Sequence, residues 1–206
     1  MSPQIKRRSR RCHLRLAAIF DGVLADFNTG YRELVHQLTD FLMPEISPTF
    51  PHTWNYDKAL GMDPKDISRC WQAIRDSESF WRNLPDLEGS HTFLKNVSRW
   101  EAAGHEFYFV TSRVGKFVKH QTEAWLTQYG CLNFPTVLIS SKKGLSAAAL
   151  DLDYYIDDKN ENCLDVQRDS PTTKGFMLAR AWNQAYPGIP RLEHLDQFTQ
   201  ILQEEL

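Results

Sequence analysis

Five short apolar runs, each closing on polar residues, constrain the fold of this chain more than any other feature. The first, "LRLAAIF" (14–20), is followed by "EFYFVTSR" (106–113), "PTVLIS" (135–140), "LDYYIDD" (152–158) and "GFMLA" (175–179). Runs of this length and composition suit strands covered on both faces, as in a parallel sheet. Helical patterns separate them. "SHTFLKNVSRWEAAG" (90–104) spaces Phe93, Leu94, Val97 and Trp100 along one face and stops at Gly104, and "KFVKHQTEAWLTQYG" (116–130) repeats the form up to Gly130. The alternation predicts an α/β fold: a Rossmann-like, doubly wound parallel sheet, with its first strand over residues 13–20.

One stretch breaks the alternation. From about Asn28 to Ser90 the chain carries the amphipathic "YRELVHQLTDFL", a turn region at Pro44, Pro48 and Pro51, and "DPKDISRCWQAIRDSESFW", where Asp63-Pro64 has the form of a helix N-cap and first helical residue. This reads as a small helical insert after the first strand. The expected organisation is a basic leader over residues 1–12, a core formed by 13–27 and 91–206, and an insert over 28–90.

Composition narrows the function classes. No apolar run is long enough for a membrane span, and Arg15 and Asp21 interrupt the N-terminal apolar stretch too soon for a secretory signal. A soluble, cytoplasmic protein is expected. Cys12, Cys70, Cys131 and Cys163 are scattered without metal-ligand spacing and read as buried or incidental thiols. Lys6, Arg7, Arg8, Arg10 and Arg11 crowd the leader, although the whole chain has a net charge of −2. A solvated leader is the expectation, and contact with nucleic acid is the weaker alternative. A homodimer is left open.

In open α/β sheets, ligands lie at the carboxyl ends of the strands. Those ends carry Asp21, then Thr111, Ser112 and Arg113, then Ser140, Ser141, Lys142 and Lys143, then Asp157 and Asp158. Carboxylates beside a lysine and small hydroxyl donors suit Mg²⁺ and a phosphate.

In these residues the chain resembles the haloacid dehalogenase (HAD) superfamily of phosphohydrolases, and within it the 5'(3')-deoxyribonucleotidases. "FDGVLADF" (20–27) is similar to the first motif, "VTSR" (110–113) to the second, Lys142 or Lys143 to the third, and "IDDKNEN" (156–162) to the fourth. "FWRNLPDLEGS" (80–90), "LARAWNQ" (178–184) and Arg191 are also similar to family segments. The resemblance implies a HAD core with a helical cap and Mg²⁺-dependent removal of phosphate from nucleoside monophosphates. By position, Asp21 would be the general acid and base. Thr111 and Ser112 would bind the phosphate, with Lys142 or Lys143 neutralising it. Asp157 would ligate the metal along with Asp21, and Asp158 would support the site. Phe27, Phe80 and Trp81 would line the nucleoside pocket.

The chain departs from the family at its first motif, Asp-x-Asp-Gly. Asp21, followed by Gly22, can only be the second acid, so the nucleophile's position is Ile19. An isoleucine has no lone pair for phosphorus or metal. The expectation is a phosphoric monoester hydrolase scaffold with activity lost or strongly reduced and Mg²⁺ weakly held. The alternative is a nucleotide- or phosphate-binding regulatory pseudoenzyme.

Overall fold

A computed structural model describes residues 13–45, 53–131, 136–183 and 187–205. The basic leader, with Cys12, and the turn residues Pro48 and Pro51 lie outside the described residues, as do Pro135 and Gln184.

Strand β1 (Arg15–Ile19) opens the fold. It ends one residue before the apolar run does, because the Phe20 carbonyl turns to accept the amides of Leu24 (2.9 Å) and Ala25 (3.0 Å). Helix α1 (Phe27–Leu38) follows at once, capped by Asp26, whose carboxylate accepts the Thr29 amide at 3.0 Å and its hydroxyl at 2.6 Å. Helices α2 (Tyr56–Ala59) and α3 (Pro64–Asp76) come next, then a single 3-10 turn, Trp81–Asn83. Asp63 caps α3 through the Lys65 amide, with Pro64 in the first turn as its sequence predicts.

The alternating part runs α4 (Ser90–Ala102), β2 (Glu106–Thr111), α5 (Val118–Gln128), β3 (Thr136–Ile139), α6 (Lys143–Leu150), β4 (Tyr154–Asp157), α7 (Asn160–Asp169) and β5 (Lys174–Leu178). A second 3-10 turn, Ala181–Asn183, leads to β6 (Arg191–Leu192) and α8 (Leu195–Glu205). All pairings are parallel, in the order β3-β2-β1-β4-β5-β6. This is the expected doubly wound sheet with one more strand. The two residues of β6 are too few to show any periodicity in sequence.

The period of two in a strand divides the sheet's residues between two cores. Leu16, Ala18, Phe107, Phe109, Tyr154 and Ile156 face a large apolar layer that includes Phe93 and Trp100 of α4, Trp125 of α5 and Phe198 of α8. Ala17, Val110 and Tyr155 face a smaller one closed by Ala147 of α6 and Val166 of α7. The described cysteines, Cys70, Cys131 and Cys163, are buried free thiols, as their spacing suggests.

The order places β1 between β2 and β4. The crevice between β1 and β4, where the winding reverses, is where this class of sheet binds ligands. Asp21, Thr111 and Asp157 reach it from three adjacent strands.

Far from that edge, on α4, the Glu101 carboxylate is half-buried and its Oε2 has no hydrogen-bond partner. Burial pushes its pKa up from 4.5 to about 7. The folded state thus favours the protonated acid, so this group's contribution is most favourable below pH 4.5 and fades as pH rises through 7. Glu101→Gln is expected to raise the melting temperature at pH 8 and to leave it unchanged near pH 4. Thermal melts across that range check it, and a constant offset at every pH would contradict it.

Candidate functional site

The turn after β1 is shaped by a close approach. Gly22 adopts φ +83°, and a Cβ placed there would lie 2.1 Å from Asp158 Oδ2. Glycine is required both for the dihedral and for the space. The Gly22 amide donates to the Ala25 carbonyl at 3.0 Å, and its own carbonyl accepts Arg180 Nε at 2.6 Å. Asp21 is thereby held at the end of β1.

Arg113 grips the Asp21 carboxylate. Its Nε lies 3.0 and 3.1 Å from the two carboxylate oxygens and its Nη2 2.7 Å from Oδ1. The Thr111 hydroxyl donates to Oδ2 at 3.3 Å and accepts the Arg113 amide at 3.2 Å. The Arg113 side chain is fully buried, whereas that of Asp21 is 17% exposed. The guanidinium carbon sits 4.0 Å from the Phe20 ring centroid and 5.0 Å from that of Trp81, and Nη1 donates to the Thr122 hydroxyl at 3.1 Å. A bidentate pair of this kind is short and strongly directional.

At the end of β4 two carboxylates are wholly buried. Asp157 accepts from the Lys159 amide (2.8 Å), from Asn162 Nδ2 (3.2 and 3.0 Å to its two oxygens) and from the Tyr155 hydroxyl. Burial pushes its pKa up, and those donors pull it part of the way back. Asp158 is pushed up further, by burial and by the charge of Asp157. Its Oδ2 accepts the Trp182 indole N–H at 3.0 Å, while Oδ1 is buried without a partner.

The structure separates the two candidate lysines. Lys143 is 1% exposed and donates from Nζ to the Ser140 carbonyl at 2.6 Å. Burial lowers its pKa to about 8, against the pull of Asp157, Asp21 and Asp158. Lys142 is exposed at the head of α6.

A cavity of about 550 Å³ opens beside these groups, lined by Ile19, Asp21, Phe27, Ser112, Arg113, Ser141 and Asp158 and by the rings of Trp54, Trp71, Trp81 and Trp182. It is the size of a small-molecule site. Ile19 is on its wall, 8% exposed. Phe27 is half-buried and lies nearly parallel to Trp71 and Trp81, each at 5.8 Å. Trp81 is held by both of its N–H groups, the amide to Gln121 Oε1 at 3.0 Å and the indole to the Val114 carbonyl at 2.9 Å. Phe80 packs edge-on behind Phe27 and Trp81 and is absent from the wall. Thr111 is wholly buried, and its hydroxyl is spent on Asp21 and Arg113, whereas Ser112 is exposed to the cavity.

Sequence reading assigned no role to several of these residues. Arg113 lies in the quoted second motif, but nothing in a sequence says that its fork turns back onto Asp21. Tyr155 shares a strand face with Asp157, a period-of-two signal. Trp71 was hidden by the pattern of α3, whose buried face is Ile67, Cys70 and Ile74. A second cavity of similar volume lies on the far side of Gly22, where Arg32, Arg180 and Arg191 are balanced by Asp26, Glu45 and Glu193.

The carboxylates do not fit a divalent ion as arranged. Asp21 is occupied by Arg113 and Thr111, Asp157 by Tyr155, Lys159 and Asn162, and position 19 offers no side-chain oxygen. Asp158 Oδ1 is the one partnerless oxygen among these described carboxylates. Among the described residues no group of three or more His, Cys, Asp or Glu side chains is placed to hold a metal. The set expected from the resemblance, Asp21 with Asp157 and Asp158, is therefore not presented as free ligands.

Comparison with known proteins agrees with the fold and the motif order. The family model described as "5' nucleotidase, deoxy (Pyrimidine), cytosolic type C protein" matches residues 16–202. The Oceanobacillus iheyensis protein named "Putative nucleotidase OB0422" is 35% identical over 148 residues, covering 68% of this chain and 73% of that one. Among solved structures, YfnB of Bacillus subtilis, a HAD hydrolase determined bound to magnesium, superposes with a TM-score of 0.59 at 13% identity, covering 93% of this chain and 99% of its own. A HAD-superfamily hydrolase of Geobacter sulfurreducens gives 0.56 at 12%, covering 93% and 97%. These structural likenesses speak to fold alone.

The contact between Gly22 and Asp158 leads to a mutational prediction. Gly22→Ala is expected to destabilise the protein by at least about 1–3 kcal/mol, the cost of the backbone strain alone. Displacement of Asp158 adds to that. Urea unfolding measures it, and an unchanged midpoint would contradict the geometry.

Proposed function

We propose, for a chain that belongs to the 5' nucleotidase, deoxy (Pyrimidine), cytosolic type C family, that the 550 Å³ cavity binds a nucleoside monophosphate. We infer also that hydrolysis there is lost or strongly reduced, because Ile19 stands at the attacking position. The observation that carries this reading is the placement of Ile19 on the cavity wall, at the end of the central strand and two residues before Asp21.

The cavity is two-sided. The strand ends supply its polar half, where the exposed residues Ser112 and Ser141 line the wall and Lys143 lies buried beside Ser140, groups that suit a phosphate. The helical stretch supplies its aromatic half, where Phe27, Trp71 and Trp81 line the wall and suit a base. In this reading residues 28–90 are the cap, the strand ends belong to the core, and the protein is a cytoplasmic one.

Chemistry then fails at one atom. No side chain at position 19 can form a bond to phosphorus. Asp21, which would handle the proton, has both oxygens engaged by Arg113. Removing a covalent nucleophile costs on the order of 10⁴ to 10⁶ in rate. Binding without turnover makes the protein a nucleotide-binding regulator on a hydrolase scaffold.

Calorimetry with dUMP and dTMP, paired with a phosphate-release assay, tests both halves. Binding with release far below ordinary enzyme rates of roughly 1–10³ s⁻¹ is expected. Release at such rates would overturn the role given to Ile19. Phe27→Ala should weaken dUMP by about tenfold, as for the loss of one stacking ring, and leave inorganic phosphate unaffected. An equal loss of both ligands would remove the base-stacking role.

A further inference from the structure

Arg113 is fixed from every side. Its fork meets Asp21, Nη1 meets Thr122, whose own hydroxyl is tied to the Val118 carbonyl at 2.8 Å, and its plane lies against Phe20 and Trp81. The side chain has no exposure, so the charge cannot swing out to solvent. A guanidinium keeps its proton throughout the working pH range. It is a permanent positive charge set into the floor of the cavity, in register with the one strand-end carboxylate that reaches solvent.

The charges around it add up differently from those of a carboxylate-lined cation site. Position 19 carries none, and that of Asp21 is cancelled at hydrogen-bond distance. Asp157 is surrounded by donors from Tyr155, Lys159 and Asn162. Lys143 remains as a second buried cation. On the cavity wall an incoming phosphate meets the Asp158 carboxylate, with its one partnerless oxygen, beside the side-chain cations of Arg75 and Lys159. A divalent ion seeking Asp21 must compete there with the Arg113 fork and the Thr111 hydroxyl.

We propose that Arg113 is the resident cation of this site, doing by covalent attachment what a bound divalent ion does by coordination, so that the cavity takes phosphate monoesters without a divalent metal. Arg113 acts through Asp21 and does not touch the ligand, so it is a positioning residue. The inference rests on the nucleoside monophosphate reading for the ligand's organic part only, because the charge argument applies to inorganic phosphate as well.

Calorimetry of the full chain with dUMP and with inorganic phosphate, each in EDTA and in millimolar Mg²⁺, tests it. The two affinities for a given ligand should agree within about twofold, which is no significant coupling between metal and anion. In Arg113→Gln, Asp21 is released to repel the anion. Affinity in EDTA should fall by about tenfold and return when Mg²⁺ is added, because the freed carboxylate can then share an ion with the ligand. A merely structural role would lower affinity equally in both buffers, and that result overturns the proposal. Where Arg113→Gln does not fold, Asp21→Asn serves instead. It leaves Arg113 uncompensated and should tighten phosphate binding in EDTA, and weaker binding overturns the proposal.

A wild-type affinity about tenfold higher in Mg²⁺ also overturns it, while leaving the nucleotide reading intact. Phosphate binding without dUMP binding, in both buffers, sinks the nucleotide reading and spares the role of Arg113. No binding of either ligand in either buffer sinks both.

Discussion

The buried ion pair between Arg113 and Asp21 is the constraint on which the rest of the site depends. It joins the end of β1 to the end of β2, reaches α5 through Thr122, and presents its flat cation to Phe20 and Trp81. A buried charge left without its partner costs roughly 3–5 kcal/mol, so removing either residue strands the other. The aromatic wall follows from this. Trp81 can stand at the cavity because its backbone is tied to Gln121, and Gln121 in turn holds the Ser77 and Lys116 carbonyls at 3.1 and 2.7 Å. The helical stretch is thereby latched to the sheet beside the pair.

The end of β4 solves the opposite problem. Two adjacent carboxylates are enclosed where no water reaches them, an arrangement that favours their neutral forms. The fold answers with donors drawn from distant parts of the chain, which explains why the segment after β5 packs here. Trp182 gives its indole N–H to Asp158, Asn183 donates to the Asp158 carbonyl at 2.7 Å, and Arg180 binds the Gly22 carbonyl. One oxygen, Asp158 Oδ1, is left unanswered.

Much of this was legible in the sequence, because the signals were local. Apolar runs bounded by polar residues marked five of the six strands, and Gly104 and Gly130 marked the ends of two helices. What was not legible involved direction. Lys142 and Lys143 are neighbours in the chain, and the phase of α6 alone turns Lys143 inward. Gly144 fixes that phase, packing so closely on α7 that a Cβ would lie 2.3 Å from the Asp165 carbonyl. Arg113 was quoted in a motif, but its fork closes on a residue 92 positions away. Phe80, beside Trp81 in sequence, packs edge-on against Phe27 and Trp81 and is absent from the cavity wall. β6 owes its existence to pairing with β5, which no two-residue pattern can announce.

The contact between Gly22 and Asp158 has a wider bearing. Half of the first motif is kept in place by packing, since the glycine is needed wherever the β4 carboxylate comes so close, whether or not a reaction takes place. Position 19, two residues before Asp21, is under no such obligation, and an apolar side chain settles there at little cost. A signature read as chemistry is thus partly a record of geometry. In a scaffold built this way, the letters by which the scaffold is recognised can stay the same whatever residue stands at position 19.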